Sequence, residues 1–421
     1  MKILLINTVC GTGSTGRIVS DLYHAYKDEG HQVKVIFGRG NALNVDETDA
    51  FCFNTKIDRY CHALLARCFD SQGLHSKRAT AKIIAFIKKY SPDVIHLHNI
   101  HGYYLNYKML FEYLNSSSIK VVWTLHDCWA FTGHCAYFHF NKCFKWKSEC
   151  DKCAFRRDYP KSLFADKSRR NFLLKRECFG ANNNLVIATP SQWLAKLVKE
   201  SFLQDKKIEV INNGIDTSVF YPAPTNIKSK LGIADKKMLL CVANVWTAKK
   251  GWQDVLDISK KISDEWRVVM IGVSAKQKQT LPNNIIGVEK TNNQAELAEY
   301  YSAADVFFNP TYEDNFPTVN IEAKCCGASI VAYANTGGGD EIVDNSIDII
   351  LKERNEDNVL NAIAKASQER QKSEMKEAEQ NGKYDKKNML KQYNNLINKQ
   401  FECFSEQNDC KETAEERNKK W

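Results

Sequence analysis

The chain has 421 residues, 43% of them apolar and 26% charged, with a net charge of +9. That balance is ordinary for a soluble globular protein of two or three domains, and no apolar run approaches the roughly 18 residues that would suggest a spanning helix. The charge is uneven: residues 1–215 carry 31 Lys and Arg against 19 Asp and Glu, and residues 216–421 carry 28 against 31. The first half is therefore the candidate for an anionic partner.

The apolar part of MKILLIN is too short for a signal peptide and reads as a first buried strand, which predicts a cytoplasmic chain. In that compartment the 15 cysteines are expected as buried thiols or metal ligands and not as a disulfide framework. Lys2 to Asn7 is followed by GTGSTG, Gly11 to Gly16, and then by an amphipathic helix from Gly16 to Glu29 with Ile18, Val19, Leu22 and Ala25 on one face. A G-x-G-x-x-G between strand and helix raises a dinucleotide fold. The second strand, Val33 to Phe37, ends in Gly38-Arg39-Gly40 instead of the ribose-binding acid, which leaves an NADP-dependent oxidoreductase as a rival reading.

Ala79 to Tyr90 reads as a helix, Val94 to His98 and Lys120 to Leu125 as strands. Strands alternating with helices predict a parallel sheet whose ligands gather at the strands' carboxyl ends. His98, His101, His126 and Asp127 fall at that edge. Cys135 to Cys153 is an insertion with spacing C-x7-C-x6-C-x2-C. Cys135, Cys143, Cys150 and Cys153 are candidate ligands of a structural zinc, with His134 to spare, because the closing C-x2-C is knuckle spacing; the rival reading is a cluster of reduced thiols. Lys142 to Arg176 carries 12 Lys and Arg against 4 acids, interleaved with Phe144, Trp146, Phe155, Tyr159, Phe164 and Phe172. Such a mixture suits an anionic membrane surface or single-stranded nucleic acid, with a solvated helix face as the bland alternative.

Leu185 to Pro190 and Ile208 to Ile211 complete the first set of strands, with a helix capped by Ser191 between them, and INNGIDTSVFYP reads as a hinge. The alternation restarts with Met238 to Ala243, the loop NVWTAKKGW, and a helix from Trp252 to Ile262. Arg267 to Gly272 and Ile285 to Val288 follow as strands, then a helix from Asn293 to Ala304. The densest chemistry lies from Asn309 to Val343. Asp305 to Asn309 is a short buried strand, Pro317 and Thr318 open a helix with Thr318 as expected N-cap, and the free N–H groups of its first turn suit an anion. Glu313 and Asp314 precede that helix, Glu322 lies on its second turn, and Gly337 to Gly339 follow the next strand and open another helix.

This run resembles the donor-binding signature of the retaining glycosyltransferases of family GT4, E-x7-E followed by E-A-x-x-x-G-x-P-V-V. The resemblance spans residues 1 to about 400 and implies a GT-B architecture: two doubly wound α/β Rossmann-like domains facing a cleft. The domains are expected at 1–215, with the Cys-rich insertion at 128–160, and at 216–385, with 386–421 forming a helix that packs back on the first domain and a polar tail. Glu322 fits the second acid, on the ribose; eight residues before it stands Asp314, assigned to the transferred sugar, with Glu313 as contender. The donor set implied is Gly13, Gly16, Asn244, Lys249, Glu313, Asn315, Phe316, Pro317, Thr318 and Glu322, with Lys250 on the diphosphate in a loop that lacks the family's arginine. Glu341 matches the G-G-x-x-E that ends the pattern. His126 is expected to orient the transferred sugar, and Ser14, Thr15, His98, His101 and Asp127 lie on the acceptor side. The resemblance implies transfer from a nucleotide diphosphate sugar to a glycan or lipid-diphosphate-linked acceptor in surface polysaccharide assembly, at the inner face of the cell membrane. No nucleic acid and no catalytic metal are expected. A non-catalytic glycan binder of the same fold is the other rival.

Overall fold

The structure, a computed structural model, describes residues 1–343, 348–373 and 381–399. Seven parallel strands form the first sheet: β1 (Lys2–Asn7), β2 (Gln32–Phe37), β3 (Ala50–Phe51), β4 (Val94–Leu97), β5 (Lys120–Thr124), β6 (Leu185–Thr189) and β7 (Lys207–Val210), in the order β3-β2-β1-β4-β5-β6-β7. Six parallel strands form the second: β8 (Lys237–Val242), β9 (Trp266–Ile271), β10 (Ile285–Val288), β11 (Val306–Asn309), β12 (Ser329–Tyr333) and β13 (Ile349–Leu351), ordered β10-β9-β8-β11-β12-β13. Central strands such as β4, β6, β11 and β12 are buried along their whole length. Continuous Val, Ile, Leu and Phe runs are what a parallel sheet covered on both faces requires. Each sheet reverses its strand order once, beside β1 and beside β8, and thus opens a crevice there.

The chain crosses back at the end. Ile215 bridges Asp385, and residues 386–399 are helical. Met389, Tyr393, Leu396 and Ile397 enter the same core as Leu5, Val35 and Val94 of the first sheet. A buried polar chain fixes the docking: Tyr26 Oη meets His96 Nδ1 at 3.1 Å, His96 Nε2 meets Thr124 Oγ1 at 2.8 Å, and Thr124 donates to Tyr393 Oη at 3.1 Å. The returning helix expected within 386–421 is thus described as far as residue 399, and the polar tail lies outside the described residues.

Three local expectations are corrected. The first helix spans Gly13–Asp28, because Thr12 is the extended residue at its N-cap; Gly13 to Gly16 form its opening turn and not a loop before it. The helix at Thr318–Cys325 has Pro317 at the N-cap position, so the Thr318 hydroxyl is no cap. Gly337 to Gly339 lead into one 3-10 turn, Gly338–Glu341, and not into a full helix.

Candidate active site

The carboxyl ends of both sheets face each other. From the first come the Gly13 helix start, His98, His101, His126 and Ser191; from the second come the Asn244 to Lys250 loop, Thr311 to Pro317, and Asn335 to Gly339. Hydrogen bonds cross between them. Ser191 Oγ donates to Asn315 Oδ1 at 2.8 Å, and Glu341 accepts from the N–H groups of Gln192 and Trp193 at 2.9 and 2.8 Å, capping the helix Gln192–Lys199 of the first domain.

On the donor side, Lys250 Nζ lies 2.6 Å from Asp314 Oδ2, both side chains about one-third exposed. Two glycines make this meeting geometrically possible. A Cβ on Gly251 would stand 2.5 Å from Pro310, and one on Gly337 would stand 1.7 Å from the Asp314 carbonyl. Both have positive φ, 77° and 130°, so side chains there meet strain as well as collision. Tyr312 N–H donates to the Lys249 carbonyl at 2.8 Å, locking the two loops together. Arg354, which the sequence reading did not single out, stacks on Tyr312 and Tyr333 and donates to the Pro310 and Thr311 carbonyls.

Glu322 is buried, and its Oε2 accepts from Tyr301 Oη at 3.0 Å. Burial raises its pKa, while the Tyr301 bond and the charge of Arg17 pull the other way. Arg17 belongs to the Gly13 helix of the first domain, so it brings a cation toward this acid from across the cleft. Asn244 is exposed, and Lys249 pairs with Asp158 of the insertion at 3.1 Å. The Phe316 side chain is buried in the core of the second domain with Ile321 and Phe307.

Glu313 has the least expected surroundings. Its Oε1 accepts from the N–H groups of Phe138 and His139, both at 2.9 Å, and its Oε2 from Phe140 at 3.0 Å. The Cys-rich insertion therefore straps across the cleft and clasps the second domain. His139 Nε2 to the Asn335 carbonyl and Phe140 against Tyr312 extend the clasp.

On the acceptor side, His98 Nδ1 meets His126 Nε2 at 3.0 Å, with the rings stacked. Burial pushes His126 down to about 4, with Asp127 partly opposing, and holds His98 well below the usual imidazole range. Both are neutral at physiological pH. Asp127 is set 3.0 Å from His101 Nε2 and accepts from the Trp129 N–H at 2.9 Å. Its burial raises the pKa, but His101 and that N–H outweigh it and keep the carboxyl ionised. Ser14 is exposed, Thr15 half-buried and Gly16 buried, on the first turn of the Gly13 helix; the N–H groups of a helix's first turn have no intrahelical partner and suit an anion.

Cys135, Cys143, Cys150 and Cys153 line one cavity of about 60 Å³ together with His134. Among the described residues no group of three or more His, Cys, Asp or Glu side chains is set as a ready-made ion site. Of the aromatics in the basic segment, Trp146 and Phe172 are core residues, whereas Phe144, Tyr159 and Phe164 are exposed. Among the described residues no helix is long and apolar enough to cross a membrane.

Two family models cover nearly the whole chain: Glycosyltransferase Family 4 matches residues 15–219, and Glycosyl transferases group 1 matches residues 224–412. A putative colanic acid biosynthesis glycosyl transferase of Escherichia coli K12 is 22% identical over 79% of this chain and 83% of its own. A D-inositol 3-phosphate glycosyltransferase of Kineococcus radiotolerans is 28% identical over 33% of this chain and 37% of its own. Among solved structures, sucrose-phosphate synthase from Thermosynechococcus elongatus superposes with a TM-score of 0.66 at 15% identity, over 96% of this chain and all of that one. An Anabaena protein solved with UDP-glucose superposes with a TM-score of 0.63 at 15% identity, over 95% of this chain and all of its own. With two doubly wound domains facing one cleft, and with both halves matched, the chain belongs to the GT4-type glycosyltransferases of GT-B fold.

Proposed function

We propose that the cleft takes a nucleotide diphosphate sugar and transfers the sugar, with anomeric configuration retained, to a glycan or lipid-linked acceptor in cell-surface polysaccharide assembly. The observation that carries this reading is the convergence of Lys250, Asp314, Glu322 and the Thr318 helix start on one side of the cleft, opposite His126 and the Gly13 helix start. The kinship to a colanic acid transferase and to a fold seen with UDP-glucose supports it.

In this reading the diphosphate takes Lys250 from Asp314 and lies on the free N–H groups of the two helix starts, which meet the charge that develops on the leaving oxygen without a divalent ion. Asp314, once released, accepts from the sugar's hydroxyls, and Glu322 from the ribose. His126, neutral and held by His98, orients the sugar as a hydrogen-bonding group. The acceptor oxygen attacks on the face from which the nucleotide leaves: its bond to the anomeric carbon forms, the phosphate bond breaks, and the hydroxyl proton passes to the departing phosphate oxygen.

The acceptor side meets a membrane surface in this account. On the helix Lys56–Phe69, Ile57, Tyr60 and Leu64 are 75%, 76% and 63% exposed, and Phe164 beside that helix is 76% exposed. Leu163 and Ala165 hydrogen-bond to the helix's last turn, which sets Phe164 beside that end of the helix, and Lys56, Arg67, Lys161 and Lys167 belong to the same two segments. Exposed apolar residues in segments that also carry cations match an anionic bilayer. The test of the proposal is release of UDP or GDP from a panel of nucleotide sugars, with and without EDTA. Release from one donor that survives EDTA is expected; no release, with no thermal stabilisation by any donor, would leave a non-catalytic binder.

A further inference from the structure

The insertion that clasps Glu313 has little regular structure between Cys135 and Ser168 beyond one 3-10 turn at Lys145–Lys147. A strap of this kind needs something other than helix or sheet hydrogen bonds to define its shape. Its four cysteines supply the means. They come from separate turns, yet all four line one cavity, whose further walls are the apolar Phe138, Trp146 and Phe155. Cys135 and Cys153 are hydrogen-bonded to each other across it.

Main-chain N–H groups face two of the sulfurs. Gly133 N–H points at Cys150 Sγ at 3.2 Å, and the Phe155 N–H bonds Cys153. Such bonds strengthen when the accepting sulfur carries negative charge. Lys175 is buried, its Nζ held by the carbonyls of Trp129 and Thr132 at 2.7 and 3.0 Å, within electrostatic reach of Cys150 and Cys135, and burial pushes its pKa down to about 7. Negative charge on those sulfurs favours the protonated form of this lysine. His134 completes the set: its Nδ1 is 2.6 Å from Asp70, and its Nε2, a wall atom's nitrogen of the same cavity, is buried without a partner. A buried ring nitrogen left without a partner is costly until something in the cavity meets it.

We propose that Cys135, Cys143, Cys150 and Cys153 bind one structural zinc ion, and that this ion shapes the strap whose Phe138 to Phe140 N–H groups hold Glu313. Zinc takes four thiolates at about 2.3 Å. Among the described residues the thiols as they stand form no ready-made ion site, so binding turns their side chains inward and releases the four thiol protons to solvent. The doubly negative complex then faces Lys175, the two N–H donors and His134. With four sulfurs on the ion no position stays open, so its role is to hold the loop and not to act on substrate.

The experiment uses the full chain purified under reducing conditions without chelator. Elemental analysis is expected to find about one zinc per chain, lost in the Cys150→Ser/Cys153→Ser variant and kept in Cys61→Ser, which alters an exposed thiol elsewhere. Metal-stripped wild-type protein given Co(II) is expected to develop a thiolate charge-transfer band and tetrahedral d–d absorption, both erased by one equivalent of Zn(II). This second readout needs no folded variant. Protease cleavage between residues 135 and 160 is expected to rise several-fold on stripping and to fall again with zinc. No zinc in the purified chain together with no cobalt band would overturn the site; unchanged cleavage on stripping would overturn its hold on the strap. None of these readouts depends on sugar transfer.

Discussion

Lys250 and Asp314 form an ion pair of 2.6 Å between two loops at the donor edge of the second sheet. Each side chain is about one-third open to solvent, so the pair adds little to stability, roughly 0–1 kcal/mol. Its position matters more than its strength, because it sets the one lysine of this loop that faces the acid segment. Lys250→Ala is expected to lower turnover about a hundred- to a thousandfold with a nearly unchanged melting temperature. Nucleotide release and a thermal scan on the same sample check both halves. Near-normal turnover would move the diphosphate elsewhere.

Glu313 should behave differently from its neighbour. It is buried and accepts three main-chain hydrogen bonds from the insertion. Glu313→Ala leaves those N–H groups unpaired, at a cost of about 1–3 kcal/mol for each that water does not reach. The expected result is a lower unfolding midpoint and faster proteolysis of residues 138–160, neither of which Asp314→Asn should produce. Equal behaviour of the two variants in proteolysis would contradict the clasp.

Acid should destabilise the chain earlier than its carboxylates require. Burial pushes His62 and His96 down to about 3 and His126 down to about 4, against about 6.5 in the unfolded chain. Below that value the unfolded state binds more protons, so stability falls as pH falls, through a window from about 6.5 down to the folded values of about 3 to 4. Each imidazole adds a slope approaching 1.4 kcal/mol per pH unit. Glu322, with its raised pKa, opposes this weakly at the acid end. Urea midpoints should drop between pH 7 and pH 5, and His96→Gln should flatten that dependence by about one proton. A midpoint independent of pH over this range would contradict the buried neutral imidazoles.

The exposure of Ile57, Tyr60, Leu64 and Phe164 predicts sedimentation with vesicles rich in anionic lipid at low salt. Salt should weaken it. Ile57→Glu/Tyr60→Glu is expected to abolish it while leaving nucleotide release from soluble donor unchanged. Retention of binding by that variant would place the membrane face elsewhere.

Much of this arrangement was legible in the chain. Runs such as Leu185 to Thr189 and Val306 to Asn309 announce buried parallel strands by composition, and the alternation with helices gives the two doubly wound sheets. His98, His126 and Asp127 were legible as strand-end residues because the sheet rule places them there. What stayed hidden depends on distant partners. Glu313 and Asp314 are adjacent in sequence, but one meets N–H groups some 175 residues away and the other meets Lys250; no local pattern separates them. Phe316 lay inside the motif, and only packing shows that it faces the core. Arg17 and Arg354 carry no motif, and their relevance comes from Glu322 and from the Pro310 loop. The helix start at Gly13 was missed because glycines weigh against helix in any propensity count, whereas Thr12 ends the extended segment first.

The central claim, nucleotide-sugar transfer with retention across this cleft, is tested most directly by the configuration of its product. Once the donor is identified by nucleotide release, alkyl glycosides serve as acceptors and the new linkage is read by NMR. The account predicts the same anomeric configuration in product as in donor, with and without EDTA. An inverted linkage would contradict it.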